Sequence, residues 1–341
     1  MRRSGILICL CRFVVRDASQ TSEWRMQPFG ISQGCPLSPY LFVLMMTILM
    51  HDAKRKSMDN HDTNVGMGIM IDELVYADDT LLIGVNPDQL QAFMTNIGEA
   101  GLEYGLSFNW SKLEMLPIRT EATIQKPNGT AIDTKNRMVY LGSMLADDGR
   151  ISSELNRRLG MARSDFEKLR LVWSHSTLSS KRKIKIFGAC VITKLLYGLQ
   201  TACLNQAERR RLDGFHARCC RTMLKIPSAY YSRVSNEIVF KRAATKRLSA
   251  RLLQFQLHYF WTLAQRPDDD PVRRCVFQAG SIETVALPTP RRQGRPRLEW
   301  ATEIGKHAAH AVGSREGLIA LMTNGAGRRD HWKQIVKRYV T

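Results

Sequence analysis

The sequence predicts an α+β protein, with strands and helices mixed up to about residue 149 and a mainly helical remainder. Three observations point there. Residues 74–83, LVYADDTLLI, place two apolar β-forming runs on either side of adjacent Asp78 and Asp79, the pattern of a hairpin that lifts acids onto the rim of a sheet. From Ile151 onward, Leu155, Leu159, Ala162, Phe166, Leu169 and Trp173 recur at three- and four-residue intervals, an amphipathic helical period. The charge is lopsided: residues 1–150 carry 14 Lys and Arg against 17 Asp and Glu, net −3, whereas residues 151–341 carry 36 against 14, net +22. A surplus of that size in one half points to a polyanionic partner, most commonly a phosphate backbone.

In chain order, Arg2 and Arg3 ahead of an apolar run mimic a secretory leader. Arg12 interrupts that run and no small-residue cleavage site follows, so residues 5–15 are expected to supply a strand at the edge of the sheet bearing Asp78 and Asp79. Gln33 and Gly34 precede the next helix. Glycine lets a ligand approach the backbone, and glutamine offers both a donor and an acceptor. Ser38 as N-cap and Pro39 as first helical residue predict a helix to about Ala53 with Leu41, Leu44, Met45 and Leu49 inside. Residues 51–65 read as a polar loop and 67–83 as the hairpin. A helix from Asp88 buries Leu90, Phe93, Met94 and Ile97, a strand precedes Lys112, and residues 140–145 form a short strand ending in an Asp147-Asp148-Gly149 turn.

Beyond Ile151, Ser179 and Ser180 cap a second helix, and residues 206–224 form a third carrying Arg209, Arg210, Arg211, Arg218 and Arg221. Residues 226–265 continue as basic helix, whose aromatics Tyr230, Tyr231, Phe255, Tyr259, Phe260 and Trp261 suit either core packing or stacking on bases. Residues 268–271 form a loop, 285–298 a Pro/Arg-rich linker, and two short helices near 300–321 and 328–339 end the chain. The longest apolar run, residues 41–50, is too short to span a bilayer, and no membrane partner is expected. The eight cysteines form no Cys-X-X-Cys pair, and His307 and His310 lack companions at zinc-ligand spacing. No structural zinc is expected, and the thiols suit a reducing intracellular compartment, nuclear or cytoplasmic.

The motifs, taken together, resemble those of reverse transcriptases, and their wording is most similar to LINE-type, non-LTR retrotransposon enzymes. The run Gly30-Ile31-Ser32-Gln33-Gly34-Cys35-Pro36-Leu37-Ser38-Pro39 resembles motif B, and Tyr76-Ala77-Asp78-Asp79 resembles motif C. Gly101-Leu102 through Gly105-Leu106-Ser107-Phe108-Asn109-Trp110-Ser111-Lys112 is similar to motif D; Tyr140-Leu141-Gly142-Ser143-Met144-Leu145 resembles motif E, the primer grip. Ser32 departs from the arginine usual in that family. The resemblance implies a partial right-hand polymerase palm with a ferredoxin-like sheet over 1–149, a helical thumb over 150–225 and a basic helical region over 226–341.

It also implies the activity of an RNA-directed DNA polymerase, which adds dNTPs to a primer on an RNA template by a two-Mg²⁺ mechanism. In that reading Asp78 and Asp79 are catalytic metal ligands, and Gln33, Gly34, Tyr76 and Ala77 line the nucleotide and template. Tyr140, Leu141 and Gly142 grip the primer. Arg157, Arg158, Lys181, Lys183 and Arg218 meet the backbone of the RNA template and its RNA–DNA or DNA primer duplex. Lys112 either protonates leaving pyrophosphate or simply faces solvent. The motif A aspartate of such enzymes has no counterpart, since the only acids before Gly30 are Asp17 and Glu23. The expectation is therefore the C-terminal part of such an enzyme, inactive as it stands. The alternative is a non-catalytic nucleic-acid-binding protein that uses the basic half; a nuclease lacks its acids. Oligomeric state is not legible.

Overall fold

The computed structural model describes residues 11–27, 34–58, 73–285, 298–323 and 327–340. The chain divides into two compact units, one of Met1–Met115 with Glu121–Thr134 and one of Leu116–Thr120 with Lys135–Thr341.

In the first unit, β1 (Cys11–Phe13) pairs antiparallel with β4 (Arg25–Gln27), enclosing the hairpin of β2 (Arg16–Asp17) and β3 (Gln20–Thr21). Helix α1 (Ser38–Met58) is followed by the β5 (Glu73–Tyr76) and β6 (Asp79–Leu82) hairpin, helix α2 (Pro87–Glu103), and a short parallel pair, β7 (Glu114–Met115) with β8 (Asp133–Thr134). Asn86 caps α2 by accepting from the N–H groups of Asp88 and Gln89, and Pro87 takes the first helical position, where its missing N–H costs nothing. Leu49, Met50 and Ala53 of α1 pack on Ile97 and Ala100 of α2, with Leu82 of β6 against them. A second small core of Met94, Ile124 and Ile132 shares Leu82 and Phe108.

Four expectations are corrected here. The N-terminal strand does not pair with the aspartate hairpin: β1 takes β4 as its partner, and every described strand pairs two by two, so no broad palm sheet is present among the described residues. Nearby chain satisfied the ladder at a lower closure cost. Helix α1 runs through His51 to Met58, where a loop was expected, because Ala53, Lys54, Arg55 and Lys56 are good helix formers. Leu44 is 51% exposed rather than buried. Together with Tyr40, Val43 and Ile48 it forms an exposed apolar stripe on α1, while the buried side begins only at Leu49. The strand expected to lead into Lys112 is replaced by turns and irregular chain over residues 104–112, and the next strand, β7, starts only at Glu114.

The second unit opens with a hairpin, β9 (Arg137–Tyr140) and β10 (Ser143–Ala146). The single strand expected over 140–145 reverses inside itself because Leu141 and Gly142 both have positive φ, 47° and 75°, the backbone of a tight two-residue hairpin turn. The Asp147-Asp148-Gly149 turn follows as expected, with Gly149 N–H donating to Ala146 O. Helices α3 (Ser152–Lys168), α4 (Arg170–Ser174) and α5 (Ser180–Phe187) come next. The chain runs on through a π-helical turn at Gly188–Ile192 into α6 (Thr193–Leu196), and then α7 (Gln206–Met223), whose start is closed by a capping box between Asn205 and Glu208.

The helix expected over 226–265 is three: α8 (Ala229–Ser232), α9 (Asn236–Arg242) and α10 (Leu248–Ala264). After α11 (Pro271–Arg274), the two expected final helices are also three, α12 (Trp300–Val312), α13 (Arg315–Thr323) and α14 (Arg329–Tyr339). Gly313, at φ 104°, stops α12 with the left-handed residue that commonly ends helices.

The apolar face predicted for 151–173 is the face that packs. Leu155, Leu159, Ala162, Phe166 and Trp173 are buried in one core with Phe187, Leu195, Leu212 and Phe215. A second core joins α10, α12, α13 and α14, with Trp261 stacked on Trp332 at 5.5 Å. No described helix is long and apolar enough to cross a membrane.

Candidate catalytic hairpin and nucleic-acid interface

The two-residue connection of β5 to β6 decides where the acids stand. Tyr76 pairs with Asp79, so Ala77 and Asp78 form the turn. Ala77 adopts φ 54°, a left-handed conformation that costs a non-glycine residue roughly 1–2 kcal/mol. Asp78 therefore sits at the tip, and Asp79 opens β6 opposite Tyr76, on the same face of the ribbon. Both carboxylates are exposed, and neither makes a hydrogen bond or ion pair within the described residues. The base of the hairpin is anchored: Leu82 reaches both small cores, and Glu73 pairs with Lys54 of α1 at 2.7 Å. An anchored ribbon with a free, doubly acidic tip suits a hard divalent cation, which takes oxygen donors and keeps part of its water. Two carboxylates are a partial set, and no cluster of three or more metal-ligating side chains exists among the described residues.

The other expected residues of this unit are scattered in kind. Gly34, at φ 92°, turns the chain just before α1, where the Cys35 thiol is held below its usual range by the N–H groups of Leu37 and Ser38. Gln33 lies outside the described residues. Tyr76 and Ala77 are exposed on the hairpin. Lys112 is exposed in a turn and pairs with neither aspartate.

In the second unit, the expected primer grip is a hairpin tip locked by α3. Gly142 O accepts from Arg157 Nη2 at 2.6 Å and from Arg158 Nη2 at 2.5 Å. Glu154 ties the pair together, accepting from Arg157 Nε at 2.7 Å, Arg158 Nε at 2.6 Å and Met144 N–H at 3.2 Å. Burial pushes the Glu154 carboxyl up, but the two guanidinium bonds outweigh it and hold it below the usual range. Tyr197 donates to Leu141 O at 3.1 Å, with the Arg158 guanidinium over its ring. Gly198 sits at φ 75°, a backbone that favours glycine, and a Cβ there would also press on the Ser143 hydroxyl.

This changes the reading of the basic residues. Arg158, 5% exposed, is committed to Glu154, Gly142 and Lys194 O, and Lys183, 4% exposed, donates to Trp173 O. Neither is free to meet a phosphate, and Arg157 is largely spent on the same lock. Lys181 and Arg218 are exposed, as are Arg163, Arg182, Lys185 and Arg210. Sequence reasoning missed Glu154, Tyr197 and Gly198. The signal available was an acid three and four residues before two arginines in an otherwise basic helix, the spacing of an intrahelical ion pair.

Comparison with known proteins bears on the first unit most directly. Residues 5–145 match the family of reverse transcriptases, RNA-dependent DNA polymerases. That span includes the Asp78-Asp79 hairpin and all but the last residue of the β9–β10 hairpin. The chain is also 24% identical over 164 residues to a transposon-derived protein of Caenorhabditis elegans, covering 47% of this chain and 58% of that one. It is 25% identical over 226 residues to a retrovirus-related Pol polyprotein of a type-1 retrotransposable element R2 of Nasonia vitripennis, covering 60% of this chain and 20% of the polyprotein. The chain carries a reverse transcriptase domain, and its distant relatives are transposon-derived. It spans only part of the length of either relative.

Proposed function

We propose that this chain is part of a non-LTR retrotransposon RNA-directed DNA polymerase, contributing the motif C hairpin, the primer grip and a helical thumb. The observation that carries the reading is a hairpin, inside the segment matched to reverse transcriptases, that exposes two adjacent carboxylates with no partner among the described residues. Asp78 and Asp79 would hold Mg²⁺, which would supply the electrostatic clamp on attacking and leaving oxygens that nucleotidyl transfer needs. Lys112, exposed, remains available to the triphosphate. The lock of Glu154, Arg157 and Arg158 would fix the primer-grip tip, while Lys181, Arg218 and their exposed neighbours meet the template–primer backbone.

A bridging carboxylate from a further segment is required for chemistry. Asp17 lies in β2 of a small exposed hairpin, and neither it nor Glu23 forms a metal-ligating cluster with other described residues. The expected outcome is that the purified chain, given RNA template, DNA primer, Mg²⁺ and dNTPs, does not extend the primer. Extension that disappears in Asp78→Asn would show a complete active site and overturn the inactive part of this reading.

The second reading, a non-catalytic nucleic-acid-binding protein, is favoured by the +22 surplus of residues 151–341 and the exposed cations of the helical unit. Duplex form separates the two. A thumb shaped for an RNA–DNA hybrid prefers A-like geometry over B-form DNA at equal salt, whereas a merely basic surface binds both alike.

A further inference from the structure

We propose that Tyr230 and Tyr231 form a stacking platform for unpaired bases of a single-stranded nucleic acid, beside the duplex-binding helices. The proposal rests on the reading that the helical unit binds nucleic acid, and goes beyond it in assigning a site for an unpaired strand. Of the aromatics in residues 226–265, Phe260 and Trp261 are core and Tyr259 packs on the second core, but Tyr230 and Tyr231 are 73% and 79% exposed. Neither hydroxyl has a hydrogen-bond partner within the described residues. Leaving two adjacent rings in water forgoes the burial that aromatic side chains usually obtain.

The loop that carries them is built rigidly. Arg221 of α7 is buried and donates to Pro227 O at 3.0 Å, Ser232 Oγ at 3.3 Å, Val234 O at 2.6 Å and Asn236 Oδ1 at 3.1 Å. One guanidinium thus gathers the chain on both sides of the tyrosines. Lys225 and Arg233, at φ 55° and 53°, make the sharp turns that bracket α8. The rings stand 5.2 Å apart at 86°, and the Arg233 guanidinium lies 5.6 Å from the Tyr230 centroid.

Charge selects the occupant. No acidic residue occurs between Asp213 and Glu237, while Arg218, Lys225 and Arg233 are exposed in that interval. Glu237 itself is paired with Arg247 at 2.5 Å. A ring pair with the Arg233 guanidinium beside Tyr230, in a stretch that carries exposed cations and no acid between Asp213 and Glu237, fits a strand that offers bases and phosphates together. A duplex keeps its bases stacked inside, so the platform addresses unpaired template or primer overhang.

The test uses the full chain with two fluorescent probes, an oligouridylate and a blunt RNA–DNA hybrid. Tyr230→Ala/Tyr231→Ala should weaken oligouridylate binding roughly tenfold or more, from loss of base–ring stacking, and leave hybrid affinity nearly unchanged. Tyr230→Phe/Tyr231→Phe should bind both like the wild type, and a 5-iodouridine oligonucleotide should photocrosslink at one of the two rings. Equal losses on both probes, or an oligouridylate affinity indifferent to the alanines, overturn the platform. So does a wild-type chain that ignores the single strand. If that chain still binds the hybrid, the thumb reading stands; if it binds neither, both fall.

Discussion

His216 carries the clearest acid sensitivity of any single residue. It is buried between Phe187 and Phe240, ring centroids 5.9 and 4.9 Å away, and its Nδ1 has no hydrogen-bond partner among the described residues. Burial, and then the Arg251 cation, push its pKa down from 6.5 to about 4. The unfolded chain protonates near pH 6.5 and the folded chain only near 4, so the unfolded state binds the extra proton in that window. Stability contributed by the neutral ring is therefore present above pH 6.5 and lost as pH falls toward 4, by roughly 3 kcal/mol at about 1.4 kcal/mol per unit. His258 and His307 shift in the same direction, chiefly by burial. Urea midpoints of the wild type should fall between pH 6.5 and 4.5, and His216→Phe, which keeps the stack, should remove the largest share of that fall. A variant with an unchanged pH profile would mean the ring is protonated without cost. Helical spacing from Leu212, Cys219 and Cys220 places His216 on the apolar side of its helix, but the rings that enclose it, Phe187 and Phe240, come from distant segments and are not legible locally.

Among elements, the β9–β10 hairpin depends most on one side chain. Glu154 holds two arginines that in turn hold the Gly142 carbonyl, and all but Arg157 of this set are buried or at a fixed turn. Removing one partner of a buried ion pair leaves uncompensated charge and typically costs about 3–5 kcal/mol. Glu154→Gln should lower the unfolding free energy by an amount of that order. Hydrogen exchange at Ser143 and Met144 should rise with it, since the tip loses its tether. Arg218→Gln, an exposed control, should change stability by less than about 0.5 kcal/mol. The aspartate hairpin behaves differently, since its tip is held by turn geometry alone. Ala77→Gly, which relieves φ 54°, should raise the melting temperature slightly without moving either aspartate. The first hairpin was legible because both its strands and its turn lie within ten consecutive residues. The lock was not, because i,i+3 and i,i+4 spacing cannot say whether arginines serve a phosphate or a carbonyl.

Over the whole molecule, charge and exposure set the interactions. The surplus of +22 in residues 151–341 survives folding as exposed cations on several helices, although Arg158, Lys183, Arg221 and Arg273 are consumed internally. Binding of an RNA–DNA hybrid should weaken steeply with salt, the slope of log affinity on log salt reporting the number of phosphates neutralised. Lys181→Gln with Arg218→Gln should reduce that slope, while Lys183→Gln should instead lower stability, because its ammonium is buried on Trp173 O. An affinity independent of salt would remove phosphate neutralisation as its source. The exposed apolar stripe of Tyr40, Val43, Leu44 and Ile48 on α1 is one surface of the first unit available for association.

Local pattern fixed the elements that close on themselves. The Asp78-Asp79 hairpin, the Asn86-capped helix, the 151–173 amphipathic face and the charge asymmetry all follow from short-range periodicity and turn chemistry. The order of the motifs by itself points to reverse transcriptases. Tertiary structure alone decided which cations face water, which aromatics are core, and that the N-terminal strand takes a neighbour rather than the aspartate ribbon. Those outcomes depend on contacts between distant segments, where an arginine satisfying a buried carbonyl and one awaiting a phosphate look the same in sequence. Burial separates them.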